Sequence, residues 1–164
     1  MSEQQEVDVV EVATWPNGEV VDAASVEAFA EESRLVAAAL FEDDQIRTPD
    51  WVITELALVS RHASRMVKVI MNAETLKRQA ATKLARAKAQ ARLDHAKLPS
   101  TQQTAQIVLA TVEEQDEYDV AVAAFEYARR IGNLLSDYTG RVQSIGKQVE
   151  LTYSTTPGTK RGPF

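Results

Sequence analysis

From Val52 onward, the apolar positions of this chain recur with a step that alternates between four and three residues. The series runs Val52, Leu56, Val59, Ala63, Met66, Ile70 and Ala73, then Lys77, Ala80, Leu84, Ala87 and Ala91. This is a heptad seam with one lysine in it, the pattern of a helix that packs along its length against another helix. Thr48, Pro49 and Asp50 open it: a capping hydroxyl, a proline suited to the first helical position and an acid at the positive end of the helix dipole. Neither proline nor glycine follows before Pro99, so the pattern predicts one helix over residues 49–97, about 70 Å long at about 1.5 Å per residue.

Pro99 stops that helix, and Ser100 or Thr101 caps the next. A second seam of the same step passes through Ala121, Ala124, Ala128, Ile131, Leu135, Tyr138, Val142, Ile145 and Val149. If the chain reverses at Pro99 the two seams face each other, with small residues against small residues near the turn. The second arm is expected over residues 101–138 and 141–151. The interruption falls at Tyr138-Thr139-Gly140, because a glycine inside a helix costs about 1 kcal/mol relative to alanine. Tyr118, Val122, Phe125 and Leu134 lie off this seam and call for a cover, from the first helix or from another subunit.

Upstream, Asp22 or Ser25 caps an amphipathic helix over residues 23–42, with Val26, Phe29, Leu35, Val36 and Leu40 at roughly helical spacing. Pro16-Asn17-Gly18 between β-rich stretches marks a turn, so residues 1–21 read as an acidic arm, flexible or folded as a short β-hairpin. Residues 152–164, with two prolines and two glycines, read as a flexible tail. The fold class that follows is all-α: a long antiparallel helical hairpin with an additional N-terminal helix, in an oligomeric helical assembly.

Charge changes this picture. The chain of 164 residues has a net charge of -6, but residues 1–60 hold 14 acids and 2 bases, whereas residues 61–97 hold 10 bases and 2 acids. Such segregation speaks to partners rather than to fold. Within residues 74–97 stand Lys77, Arg78, Lys83, Arg86, Lys88, Arg92 and Lys97, against Glu74 and Asp94. At about 100° per residue, Lys77, Arg78, Lys88 and Arg92 form one row and Lys83, Arg86 and Lys97 another, both clear of the seam. A solvated helix face usually interleaves acids at i±4; here Glu74 with Arg78 is the one pair in the favourable order. The unmatched cations call for a polyanion, either a phosphate backbone or the chain's own acidic residues before position 48.

Other chemistries find no support. There is no cysteine, no HExxH and no GxxxxGK[ST] phosphate loop, and the two histidines, His62 and His95, stand far apart. His62 reads as a surface or seam-flanking residue. The carboxylates around Glu113–Asp119 lack the glycine of a Ca²⁺ loop and read as a solvated or base-facing patch. No metal, no cofactor and no catalysis are expected. With no apolar run long enough to span a bilayer and no leader pattern, the expected location is the cytoplasm. The basic segment carries no aromatic residue on which bases could stack, so it should grip backbone rather than read sequence.

KAQARLDH (88–95), near the end of a basic helix and followed by a second long helix, resembles the KARLDY-type signature of the UvsY family of phage recombination mediators. Residues 107–135, continuing to 141–149, are similar to that family's acidic entry, central aromatic, Leu-Leu pair and late Arg...Ile pattern. The likeness spans residues 60–150. It implies a non-enzymatic protein that binds single-stranded DNA as a ring-like homo-oligomer and helps a RecA-like recombinase displace single-strand-binding protein, in the host cytoplasm if the protein is a phage's. Arg92 and Asp94 match the motif. Gln90 stands where the motif has lysine and His95 where it has an aromatic, so strand binding would lean on Lys88. The competing expectation is a helical scaffold whose basic face meets an acidic protein.

Overall fold

The computed structural model describes residues 14–39 and 47–155. They form four helices: α1 (Ala23–Ala39), α2 (Pro49–Asp94), α3 (Ser100–Ala110) and α4 (Val112–Thr155). Among the described residues there is no strand, so the chain is all-α as its periodicity predicts. The two long helices pack as an antiparallel hairpin, with α1 lying against both and α3 against α2.

Local chemistry sets most of the boundaries. Thr48 Oγ1 accepts from Trp51 N at 3.2 Å and Pro49 occupies the first turn, so α2 starts where the sequence places it. Helix α1 uses both candidate caps at once. Asp22 Oδ1 accepts from Ser25 N at 2.7 Å while Ser25 Oγ accepts from Asp22 N at 3.0 Å, a reciprocal capping pair. Ser25 Oγ also accepts from Trp15 Nε1 at 3.0 Å, and the Trp15 ring packs edge-on to Phe29 at 4.6 Å. The turn at Pro16-Asn17-Gly18 is present, with Gly18 at φ +86 and one antiparallel bridge from Thr14 to Val20.

Three expectations need correction. The second arm breaks at Thr111, not at Gly140: Thr111 is buried, its Oγ1 donates to Ile107 O at 2.9 Å, and α4 then runs unbroken through Gly140 to Thr155. A β-branched residue whose hydroxyl bonds back to the carbonyl four residues earlier favours such a bend. Second, α2 ends at Asp94 rather than at 97, and Pro99 occupies the cap position of α3 with no side-chain cap, so Ser100 and Thr101 lie inside that helix. Third, the buried stripe of α1 is Val26, Ala30, Ser33 and Ala37, while Leu35 is exposed. Small residues there let α1 sit close against the hairpin. Residues 1–13, 40–46 and 156–164, which include Leu40 and most of the expected arm and tail, lie outside the described residues.

The core runs along the hairpin. Every α4 seam residue is buried except Ile145, which packs partly buried against the core. On α2 the predicted Val52, Val59, Met66 and Ala73 are buried, joined by Glu55, His62 and Val69, so the buried face is wider than one seam. Two neighbours, α1 and α4, press on α2 and demand that width. Each fully buried Met66, Val59 or Leu135 side chain contributes about 2 kcal/mol of transfer from water.

Candidate nucleic-acid interface

The seven cations sit on the C-terminal half of α2 and the turn beyond it, and the hairpin sorts them. Counting outward from Pro99 along both arms brings α2 side chains opposite their α4 partners. Lys77 lies over the Phe125 ring with Nζ 3.8 Å from its centroid, and Lys88 Nζ donates to Gln115 Oε1 at 3.0 Å. Both are half-buried on the boundary facing α4. Lys83 Nζ donates to both Glu117 oxygens, at 2.6 and 2.7 Å. The Glu117 carboxylate holds the Lys83 ammonium above its ordinary range, with Glu114 and Glu113 adding to the pull. Arg78 meets Glu74 at 2.6 Å, the i,i+4 pair visible in the sequence, with its side chain 75% exposed.

Arg86, Arg92 and Lys97 are exposed and form no ion pair among the described residues. Glu31 and Glu32 of α1 are engaged elsewhere. Glu31 binds Arg34 and accepts from Tyr127, and its carboxyl is lowered to about 2 by the Arg34 hydrogen bonds first and by Tyr127 second. Glu32 meets Arg65 at 2.8 Å, and the Arg65 guanidinium lies 4.3 Å over the Phe29 ring. These contacts pin α1 to α4 at Tyr127 and to the middle of α2 at Arg65, well before the basic segment.

A feature that the sequence reading missed lies beside Arg86. Where α1 begins, its first residues and the two long helices enclose an open groove of about 890 Å³. Its floor is Leu76, Ala80, Val120 and Ala121, and Arg78, Lys83 and Arg86 stand on its rim with Glu117. Helical periodicity could not show it, because its walls come from three elements. The signal available was the mirror relation about Pro99, which sets Lys83 against Glu117.

Among the described residues there is no cluster of three potential metal ligands, and no helix is long and apolar enough to cross a membrane. His62, expected at the surface or flanking the seam, is buried, with Nδ1 3.2 Å from Ser33 Oγ, where it ties α1 to α2. The chain matches no family model, no curated protein and no solved structure.

Proposed function

We propose that the chain is a non-catalytic single-stranded-DNA-binding protein of the recombination-mediator kind, which loads a RecA-like recombinase onto DNA covered by single-strand-binding protein. The observation that carries the reading is the set Arg78, Arg86, Arg92 and Lys97, exposed on the C-terminal half of α2 and the turn after it, with Glu74 its one carboxylate partner among the described residues. Cations on the outer face of a rigid helix suit a phosphate chain, which neutralises several at once and releases counterions. The absence of aromatic residues from residues 77–97 fits backbone contact without sequence readout. Lys77 and Lys88, engaged toward α4, serve the hairpin instead, and Lys83 contributes where a phosphate displaces Glu117. The UvsY-type motif at residues 88–95 falls in the same segment.

Assembly into a ring-like homo-oligomer is part of the proposal. The outward face of α2 carries Ile53, Val67 and Met71, each at least 60% exposed, at heptad positions shared with Ala57, Ser60 and Ser64. An uncharged helical stripe of this length is the kind of surface that a further helix covers. The same stripe favours the second reading, a helical scaffold whose basic face binds an acidic protein. Fluorescence anisotropy of a labelled single strand at low salt, with particle mass measured in parallel, separates them. A mediator binds the strand, and Arg86→Ala with Arg92→Ala weakens binding at least about tenfold, since each lost phosphate contact removes counterion release. Assembly without strand binding is the scaffold's result.

A further inference from the structure

We infer that the groove at the start of α1 is the docking site for the chain's own residues 1–13, and that this segment and a bound strand exclude one another. The second half of the statement rests on the strand-binding reading; the first does not.

The groove asks for a ligand that is both apolar and anionic. Val120 lines it yet is 54% exposed, so this part of its apolar lining has no cover among the described residues, while Ala121 beside it is buried. A phosphate chain alone would answer Arg86, the one groove cation with no ion pair among the described residues, and leave Val120 wet. Residues 1–13, MSEQQEVDVVEVA, combine four carboxylates (Glu3, Glu6, Asp8 and Glu11) and four valines with no lysine or arginine. Their composition complements the groove in both respects.

Position selects this segment over the chain's other acids. Thr14, the first described residue, pairs with Val20, and Val21, Asp22 and Ala23 form one end of the groove. The segment therefore leaves the structure within a few residues of the site. Its 13 residues reach up to about 43 Å when extended. A tether this short holds the segment at an effective concentration on the order of mM, so weak contacts suffice. The acids Glu42, Asp43 and Asp44 instead follow the far end of α1, about 25 Å away along its 17 residues. Glu31 and Glu32 are already paired.

The chain has no cysteine, so an introduced pair reports proximity without background. In the full chain, Val9→Cys is combined with Gln79→Cys, which lies in the groove, or with Ala85→Cys, exposed on α2 outside the groove. Because the two pairs share one tether, docking and not the tether should make the Gln79 pair form its intramolecular disulfide at least about tenfold faster than the Ala85 pair under mild oxidation. Adding Arg86→Glu should bring it down to the control rate. Equal rates for the two pairs overturn the docking. Oligothymidylate should slow the Gln79 pair toward the control; strand binding that leaves the rate unchanged overturns the exclusion. Fast cross-linking in a chain that binds no strand upholds the docking and defeats the strand-binding function.

Discussion

Glu55 shows how a single side chain can oppose the fold that holds it. It is 6% exposed, and its Oε1 finds no hydrogen-bond partner among the described residues. Burial pushes its carboxyl above the ordinary 4.5, and Tyr138 is pushed up to about 12, by its own burial first and by the Glu55 charge second. An acid whose folded value is raised binds its proton more tightly in the native state. The Glu55 contribution to stability is therefore most favourable below about 4.5 and falls as pH rises through the interval from 4.5 to the raised value. Glu55→Met should remove that decline and raise neutral-pH stability by about 1–3 kcal/mol, the cost of an unsatisfied buried group. Urea titrations at acid and neutral pH measure both effects, and a variant less stable at neutral pH would contradict the account. The sequence could not reveal this burial. The seam passes through Leu56, and it is the second neighbour, α1, that widens the buried face of α2 to take in Glu55, His62 and Val69.

Helix boundaries were legible where local chemistry decides them and illegible where packing does. Thr48-Pro49 and Asp22/Ser25 act as the caps that their residue types announce. The α4 seam could be read because one face of that helix meets α2 over most of its length. Glycine misled the reading at position 140, where propensity argued for a break that long-range packing overrides. A Cβ added at Gly140 meets nothing within 4 Å, whereas one at Gly132 would lie 2.9 Å from Ile70 Cδ1 and one at Gly146 would lie 3.0 Å from Val52 Cγ1. Gly140→Ala should thus stabilise the chain by about 1 kcal/mol through helix propensity alone, and Gly132→Ala should gain less because Ile70 must move. Denaturant midpoints compare the two. A destabilising Gly140→Ala would mean that α4 does need a bend there.

Charge separates along the chain and also across the hairpin. The acidic entry to α4 answers Lys83 directly, and Glu31 and Glu32 of α1 close onto Arg34 and Arg65. What stays open is the outer face of the C-terminal half of α2. The heptads foretold that two long helices would carry that face, and the missing i±4 acids foretold that it would be under-compensated. The division of the seven cations was hidden, because it depends on which α4 side chains the turn brings opposite each one. If Arg78, Arg86, Arg92 and Lys97 grip a strand, the logarithm of the binding constant should fall with the logarithm of salt concentration at a slope of about -3 per subunit engaged, at about -0.7 per phosphate contact. Replacing Arg86 and Arg92 together with alanine should halve that slope; a slope and affinity unchanged by the double substitution would show that the strand, if bound at all, lies elsewhere.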